Sequence, residues 1–506
     1  MNERLSKEEL SNSKAINLHL CSEYKQVDGL IEALLIEVIN HFKCDENTKR
    51  IHKSKLKKCL TVLLLNLLSV YLADTRKYLA YSRSSSRFKK SRYQKNNIGY
   101  DIFLKAVDTL IKLGYIKSHL GFYDKGLKKG KNSRMRASSE LIGLFNKHQL
   151  AGLMVQREES EEVIILKGVK IYKGKKKVKF VVDYEDTKQT IQMRENLRTI
   201  NSLLDSRWVD LNVPDDIYEE IVREVEKKNR NDIDFNRKKL VRVFNNNSFE
   251  DGGRFYRGWW QEIPKEFRKH ITIDGKQTVE VDYSAMHFRI LYAEEGINIG
   301  NDDPYIVEGY EDQRKLIKIA LNIILNAGTK DTAINAIYFN NKPAISKKTA
   351  KYIYKALEDK HPNIKKYFGS GRGIKLQFKD SQIAEQVMLN LARSNIVCLP
   401  VHDSFIVRMS NQIELHEVMD KVFKDIVRVN SKRDKKATVV GSDIHLQNSK
   451  RLYGDKSHKF FDKKGNVEGV IFSGADINLD ELIKLNKEYK GYHLREGEWI
   501  EHKGFI

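Results

Sequence analysis

The 506 residues of the chain, 41% of them hydrophobic, are enough for about two or three domains with real cores. Lysine and arginine number 91 against 68 acidic residues, and the net charge of +23 favours a polyanionic partner such as nucleic acid, although ribosome and membrane surfaces would also attract it. The four cysteines, none at metal-binding spacing, and the lack of a secretory leader argue against a zinc or disulfide framework and predict a reduced, cytoplasmic, nucleoid-associated chain.

Residues 1 to about 80 are predicted to be helical. Apolar residues recur at helical spacing in Val27–Phe42 and again in Lys55–Ala73. The second segment contains the most apolar run of the chain, Leu60–Leu72, but this run is too short to span a bilayer and carries Asn66 and Ser69. It is therefore predicted to be a buried core helix, and no membrane contact is expected.

A winged-helix region is predicted after a basic segment. The segment Arg76–Lys95 is dense in Arg, Lys, Ser and Tyr, and its composition suits a solvated loop and a phosphate-contacting arm equally. Helix Tyr100–Leu113, ended by Gly114, precedes a strand, the basic glycine-rich tip Asp124–Lys131 and a second strand. This is the winged-helix order, in which the helix enters a groove and the wing lies on the phosphate backbone. A basic β-hairpin packed on helices would give the same pattern.

The following region predicts a connector without a functional motif. Two apolar and basic strands run from Glu162 to Asp183, and helices are predicted at Met193–Leu204 and Asp215–Lys228. Asp183-Tyr184-Glu185 has the acid spacing of a proofreading exonuclease, but the further acids that such a site needs are missing from the pattern. By position alone, the two helices are interpreted as a reduced thumb.

Two acids at predicted strand ends form the candidate catalytic pair. The β-forming residues Thr278–Val281 lead to Asp282, and helical apolar spacing begins at Met286. Leu399–Val407 predicts two short apolar strands with Asp403 at the turn between them. Carboxylates on neighbouring strand ends can hold two divalent metal ions about 4 Å apart, which activate the attacking oxygen and stabilise the leaving oxygen in phosphoryl transfer.

The surroundings of these acids resemble the DNA polymerase I family. Asp282-Tyr283-Ser284, with Arg289 further along, is similar to the family's motif A, and Val401-His402-Asp403 is similar to its motif C. Each signal is common on its own, and Arg314 with Lys318 is by default a solvated helix face. The order of the signals over roughly residues 250 to 410 is the order that a polymerase palm and fingers require.

The resemblance implies a role for each matching position. The catalytic acids would be Asp282 and Asp403, and two Mg²⁺ ions, replaceable by Mn²⁺, would be bound by Asp282, Tyr283 and Asp403. The incoming nucleotide would be bound by His287, Tyr305, Arg314, Lys318, Asn322 and Asn326. The primer-template would be contacted by Arg254, Gln261, Gln377 and His402.

The chain departs from the family pattern at several of these positions. Asn322 and Asn326 stand where the family has aromatic residues, so the face that stacks on the incoming base is altered. His287 stands where the DNA polymerases of the family usually have glutamate; a histidine packed on its own helix is the alternative interpretation. Ser404 replaces a glutamate after the second acid, a form similar to that of phage-type single-subunit RNA polymerases. These departures bear on sugar choice, speed and fidelity.

The predicted fold class is α+β, with a right-hand polymerase palm and fingers, an antiparallel sheet with helices, behind an N-terminal helical and winged-helix region. Residues 1–150 are assigned to nucleic-acid binding, 151–248 to the connector, 249–450 to palm and fingers, and 451–506 to a basic extension without an assigned role. Within the third segment, Ile413–Val427 is predicted to be an amphipathic helix beneath the catalytic hairpin.

The sequence therefore predicts a template-directed nucleotidyltransferase, in the first place a specialised DNA polymerase of a plasmid, phage or other mobile element. Its partners would be a DNA primer-template and nucleoside triphosphates; no protein partner is indicated. Tyr283 favours DNA synthesis, because phage-type RNA polymerases have glycine at the corresponding place. A single-subunit RNA polymerase or primase using the same acids stays open as an alternative. So does a non-catalytic replication initiator with a decayed palm.

Overall fold

The structure of the protein, a computed structural model, describes residues 5–6, 9–10, 12–43, 52–94, 98–124, 129–173, 176–228, 233–298, 303–341, 343–427, 457–461, 467–472, 492–495 and 498–501. The chain is a mixture of helix and strand, 52% and 18%, with several separate sheets. This composition is compatible with the predicted α+β class, whereas the palm and fingers stay a prediction.

The N-terminal part of the chain has its own hydrophobic core, formed by residues from Leu20 to Val155. Its helices are α1 Lys25–Lys43, α2 Lys53–Ala73, α3 Tyr100–Lys112 and α4 Ser139–Lys147. Its strands are β1 Ser13–Ala15, β2 Leu20–Cys21, β3 Tyr78–Tyr81, β4 Ile116–His119, β5 Phe122–Asp124, β6 Lys129–Lys131, β7 Ser133–Ala137 and β8 Gln156–Arg157. Four of the strands form a sheet in the order β1-β3-β7-β4.

Helix α2 lies in the centre of this core. By length and composition it could cross a membrane, but 61% of its most apolar 18-residue stretch is buried inside the protein. The side chain of its buried Asn66 accepts a hydrogen bond from the backbone nitrogen of Asn17 at 2.8 Å and donates to the Asn17 carbonyl at 2.7 Å. These bonds satisfy a polar group that would otherwise be costly in an apolar core. The prediction of a buried core helix is confirmed.

Helix α3, strand β4, hairpin β5–β6 and strand β7 follow one another in the predicted winged-helix order. Strand β4 pairs with β7 in antiparallel register, with Ser118 opposite Met135. Gly114 has a φ of +82° just after α3, a backbone conformation that glycine adopts easily at the end of a helix. Residues 125–128 of the predicted basic tip lie outside the described residues.

The basic segment Arg76–Lys95 contains a short strand and two paired arginines. Near its start lies strand β3, whose four residues are too few to show a clear alternation of apolar and polar side chains. Arg83 makes two hydrogen bonds to the carboxylate of Asp108, at 2.7 and 2.8 Å, and Arg92 lies 3.0 Å from Glu162. Arg83 and Arg92 are thus paired with acids elsewhere in the chain, whereas Lys89 and Lys90 are exposed, so the choice between a solvated loop and a phosphate-contacting arm stays open for the rest of the segment.

A second core is formed by residues from Val163 to Val427. Its helices are α5 Lys188–Asp205, α6 Asp215–Lys227, α7 Met286–Glu294, α8 Arg314–Asn326, α9 Lys330–Asn340, α10 Lys347–Lys360, α11 Gly373–Arg393 and α12 Gln412–Val427. Its strands are β9 Ile164–Leu166, β10 Ile171–Lys173, β11 Lys176–Val178, β12 Val209–Leu211, β13 Val241–Asn245, β14 Ser248–Tyr256, β15 Ile271–Ile273, β16 Lys276–Asp282, β17 Leu399–Val401 and β18 Ser404–Arg408.

The C-terminal extension contributes two antiparallel hairpins among the described residues. Strand β19 Ser457–Phe461 pairs with β20 Val467–Phe472, and β21 Tyr492–Arg495 pairs with β22 Glu498–Glu501. The remaining residues of the predicted extension lie outside the described ranges.

The sheet that positions the two predicted acids has the strand order β12-β15-β16-β18-β17 and is called the central sheet below. Strands β16 and β18 are antiparallel, with Val281 opposite Phe405 and Asp282 opposite Ser404. Helix α12 contacts strand β18 of the hairpin, as predicted. The Tyr283 hydroxyl, just after the neighbouring strand β16, also donates to the Met419 carbonyl of this helix at 2.7 Å.

Candidate active site

Asp282 and Asp403 lie side by side at one end of the central sheet. Asp282 is the last residue of β16, and Asp403 is in the turn that joins β17 to β18. The backbone nitrogen of Tyr283 donates to the Asp403 carbonyl at 3.3 Å, which joins the strand end to the turn. His402 has a φ of 61°, a left-handed conformation that the tight turn requires. Both local predictions, an acid at a strand end and an acid at a hairpin turn, are confirmed.

Protein atoms compensate poorly for the negative charge of an ionised Asp282. The Oδ1 atom of Asp282 is buried and has no hydrogen-bond partner in the described part of the chain. Burial, and next the charge of Asp403, raise the pKa of Asp282 to about 8. A carboxylate held this way is stabilised by a bound cation, which restores the charged form. The donor set therefore fits divalent metal ions.

Two carboxylates would make up the side-chain part of such a metal site. Among the described residues, no group of three or more His, Cys, Asp or Glu side chains forms a metal-binding cluster. The side chain of Tyr283 is buried against Phe405 and Phe423, so only its main-chain carbonyl is available to a cation. The predicted ligand set is thus reduced to Asp282, Asp403 and one main-chain oxygen.

Cationic side chains of helix α8 are close to the pair. The Arg314 guanidinium and the Lys318 ammonium lie 5.0 and 5.7 Å from the ring centre of Tyr305. The pKa of Tyr305 is raised to about 12, chiefly by burial, and it also senses the charges of Arg314, Asp403 and Asp282. Lys318 in turn lowers the pKa of Asp282 against the larger effects of burial and Asp403. The two cations therefore lie beside Tyr305, whose pKa is influenced by both acids, and Lys318 also acts on Asp282.

The four polar residues predicted on α8 form one exposed face. Arg314, Lys318, Asn322 and Asn326 recur at intervals of one helical turn, whereas Ile317, Leu321 and Ile324 are buried on the opposite face. The amide of Asn326 donates to the Asn322 carbonyl at 2.8 Å. A Cβ atom added to Gly373 would lie 2.2 Å from Asn326 Oδ1, so glycine is what allows α11 to approach this helix end.

The loop that carries Tyr305 is fixed by a buried histidine that sequence reasoning missed. His361 Nε2 lies 3.0 Å from the Pro304 carbonyl, and its Nδ1 lies 3.0 Å from the Tyr292 hydroxyl. The tautomer that fits both bonds is protonated on Nε2, with Nδ1 accepting from the tyrosine. Arg314 Nε donates to Asp303 at 2.7 Å and holds the same loop from the other side.

A second buried acid, also missed, organises the other side of the site. Asp380 of α11 is 1% exposed; its carboxylate accepts hydrogen bonds from Arg254 Nε at 3.0 and 3.1 Å and lies 2.7 Å from His287 Nε2. Although burial acts to raise the pKa of Asp380, the bonds from His287 and Arg254 keep it below its ordinary value. Asp380 is thus an ionised partner of two residues predicted from the sequence.

The remaining predicted contacts surround the hairpin turn. Gln261 Nε2 donates to the Pro400 carbonyl at 2.9 Å and therefore holds strand β17 in place. The ring of His402 is 5.8 Å from that of Tyr256 in an edge-on arrangement. Gln377 is half-buried on α11, one turn after Gly373. Their contact with a primer-template stays a prediction.

Known proteins provide no assignment for this site. No protein-family model matches the chain, and no curated protein matches it either. The functional interpretation therefore rests on the chemistry of the site itself.

Proposed function

We propose that the protein is a template-directed nucleotidyltransferase of the DNA polymerase I type, with a palm formed by the central sheet and fingers formed by α8 to α10. The observation that carries the proposal is the juxtaposition of Asp282 and Asp403 at adjoining chain turns, with an orphaned buried oxygen on Asp282. A pair of this kind is costly to fold without a cation, and phosphoryl transfer is the chemistry that uses it.

Asp282 and Asp403 would hold Mg²⁺ or Mn²⁺ together with the Tyr283 carbonyl. When bound, such ions lower the pKa of the attacking hydroxyl and neutralise charge on the transferred and leaving phosphate groups. The protein keeps its acids in place through the β16–β18 pairing and through Ser404, whose hydroxyl donates to Glu280 at 2.6 Å. This support fixes the carboxylates before substrate arrives.

Arg314 and Lys318 would bind the triphosphate of the incoming nucleotide. Both are exposed on α8 beside the ring of Tyr305, whose pKa is influenced by both acids. Fixed positive charge at the place where negative charge develops lowers the barrier without a reorganisation cost during the reaction. Arg254 is half-buried beside Asp380 and senses the charge of Asp403, which suits a role near the primer end.

The nucleic acid itself would be bound in part by the N-terminal region. The protein carries a net charge of +23, and a helix followed by two paired strands with a hairpin between them is compatible with a winged helix. Because phosphate contacts give affinity without sequence information, this region would anchor the template while α11 and the hairpin position the reacting end.

Primer extension tests the proposal. Wild-type protein is given DNA or RNA templates with an annealed primer or without one, each nucleotide type, and Mg²⁺ or Mn²⁺. Extension of a DNA primer that requires divalent metal supports the proposal. Synthesis from ribonucleotides without a primer would replace it by the RNA polymerase or primase alternative, and DNA binding without incorporation under any condition would replace it by the non-catalytic one.

A further inference from the structure

A polar pocket of about 460 Å³ lies where the N-terminal core meets the second core. Strand β1 and helix α2 contribute Lys14 and Ser69 to one side, and the second core contributes Arg237 and Arg257 to the other. The volume falls within the range of about 300–1,000 Å³ that is usual for small-molecule sites. The lining residues do not include any of those assigned to the two-carboxylate site.

The lining of the pocket is strongly cationic. Asp234 is its single acidic residue, and it pairs with Lys14 at 2.8 Å. The cations of the lining are Lys14, Lys77, Arg157, Arg237 and Arg257. The exposed fraction of the side chain is 13% for Arg157, 19% for Arg237 and 20% for Arg257. Arginine side chains ordinarily keep their charged ends in water unless they are paired, so this concentration calls for counter-charge.

Two carboxylates outside the lining supply part of that charge. Glu161 is shared, because it lies 2.7 Å from Arg157 and 2.8 Å from Arg257. Glu262 lies 3.9 Å from Arg237, near the limit of an ion pair. The three arginines of the lining are thus contacted by two carboxylates, because Arg157 and Arg257 share Glu161, and one positive charge is left over among them.

Arg257 shows the cost of this crowding. Burial, and next the charge of Arg157, lower its pKa to about 10, although Glu161 acts in the opposite direction. Its φ of 89° is in a region that non-glycine residues rarely adopt. A strained backbone and a buried guanidinium that shares its carboxylate with a second arginine are retained mainly where a site uses them.

We propose that this pocket binds the phosphate groups of a small molecule, most simply a nucleoside triphosphate, at a site separate from the two-carboxylate site. Guanidinium groups are planar forks that match phosphate oxygens in pairs. Arg157 already binds Glu161 in this way, so Arg237 and Arg257 would make the contacts to phosphate, with Arg157 adding its charge. Asn236 of the lining adds an amide that can donate or accept a hydrogen bond from a base or sugar. A bound polyanion would restore charge balance in the cluster.

The position of the pocket gives the ligand a structural consequence. Its lining comes from both cores, so a bound molecule would join them. Two neighbours of Arg257 in the chain contact the hairpin β17–β18. The ring of Tyr256 contacts the ring of His402, and Gln261 donates a hydrogen bond to the Pro400 carbonyl. A ligand bound in the pocket would therefore affect the position of the hairpin that carries Asp403.

Titration calorimetry on the full-length protein tests the site. Sodium triphosphate and ATP are titrated in EDTA, because a metal-free buffer suppresses triphosphate binding at the two carboxylates. The first test variant is Arg237→Gln, because its carboxylate partner Glu262 is 3.9 Å away and loses little when the arginine is replaced. The second is Arg257→Gln, because its partner Glu161 still pairs with Arg157 after the substitution. The matched control is Arg223→Gln, an arginine on α6 that is 60% exposed and lies outside the lining.

We expect saturable binding by wild type and by Arg223→Gln. Arg237→Gln and Arg257→Gln should bind with Kd values at least tenfold higher. Without ligand, at least one of these two variants should unfold at the same thermal midpoint as wild type. Tighter binding of ATP than of triphosphate would identify a nucleotide site, and equal binding an inorganic polyphosphate site. The proposal is overturned if wild type shows no saturable binding, or if Arg314→Ala with Lys318→Ala removes it while both pocket variants retain it.

Discussion

Asp380 and His287 are joined by a hydrogen bond of 2.7 Å between a carboxylate oxygen of α11 and the Nε2 atom of an imidazole on α7. Because Nε2 donates to Asp380 it cannot also accept from Arg254, whose Nη2 atom lies 3.3 Å from it and which donates to the same carboxylate. The ring is thus oriented by Asp380, and Arg254 lies beside it. His287 is therefore not simply packed on its own helix. In the proposed polymerase, a ring held in this way would form a rigid wall near the sugar of the incoming nucleotide.

The first prediction concerns the choice of sugar. We expect deoxynucleotide preference with weak discrimination in the wild type, and His287→Ala should raise ribonucleotide incorporation relative to deoxynucleotide incorporation by about 10-fold or more. One pocket contact supplies roughly 1 to 3 kcal/mol of discrimination, and alanine removes the bulk that excludes the 2′-hydroxyl. The ratio of kcat/KM for the two substrates measures the effect. An unmoved ratio, or a wild type that prefers ribonucleotides, would contradict the assignment of His287.

The second prediction separates the orientation of His287 from stability. Asp380→Asn keeps the shape of the side chain but removes the charge that holds the ring, so the sugar ratio should move in the same direction as in His287→Ala. Glu385→Gln is the matched control, because Glu385 lies on the same helix and pairs with a different buried residue, Arg242, at 2.7 Å. Both substitutions should destabilise the protein by about 3 to 5 kcal/mol, as is usual when one partner of a buried ion pair is lost. A change of the sugar ratio in the control would show that loss of stability alone produces it.

The third prediction concerns the two carboxylates. Asp282→Asn or Asp403→Asn should lower the incorporation rate by about 10³-fold or more, because each removes charge that acts mainly in the transition state. DNA affinity should change little. Single-turnover primer extension and a binding titration measure the two effects, and Asp359→Asn, at an exposed ion pair of α10, serves as control. Retention of more than about a tenth of the wild-type rate by either variant would refute the assignment.

The fourth prediction concerns the N-terminal wing. Replacement of Lys125, Lys128, Lys129 and Lys131 by glutamine should flatten the dependence of DNA affinity on salt by about 0.9 in log–log slope for each lysine that contacts a phosphate. Extension of a saturating, pre-annealed primer should survive. Replacement of Lys347, Lys348, Lys351 and Lys360 by glutamine, all exposed on α10, controls for the loss of four positive charges. If the slopes of wild type and wing variant coincide, the DNA contacts lie elsewhere on the protein.

The sequence was sufficient where the signal was local. The run before Asp282 and the apolar strands around Asp403 each carry their own β-forming residues, so strand end and turn could be located without tertiary information. The helix Gln412–Val427 was equally local, because its apolar stripe has helical spacing. In each case the periodicity of a few residues determines which side chains are buried.

Partnerships over long distances could not be read in the same way. Asp380 is separated from Arg254 by 126 positions and from His287 by 93, and nothing near it in sequence marks it as their partner. Strand β3 was missed because four residues give too little alternation, and its pairing with β7 is determined by the core and not by its own composition. Arg92 was seen as part of a basic segment because its acidic partner, Glu162, lies 70 positions away.

The last prediction concerns pH. His361 is 3% exposed, and burial lowers its pKa to about 4 from an ordinary value of 6.5. Between these pH values the unfolded chain binds a proton that the folded protein does not, so the free energy of unfolding should increase as pH rises from about 4 to 6.5. The contribution is a few kcal/mol at most, because one pKa unit corresponds to about 1.4 kcal/mol.

Urea unfolding at a series of pH values gives the free energy of unfolding at each pH. The contribution of His361 is the difference between wild type and His361→Gln in the slope of this free energy against pH. The variant should be less stable near neutral pH, because the amide replaces the bonds to Tyr292 and Pro304 imperfectly, and this deficit should shrink as the pH falls through the window, because the amide does not titrate. His52→Gln, at an exposed histidine, should leave the slope unchanged. Parallel curves for wild type and His361→Gln would mean that His361 is as easily protonated in the folded protein as in the unfolded chain. The loop of Tyr305 would then be held by Arg314 and Asp303 without help from a neutral imidazole.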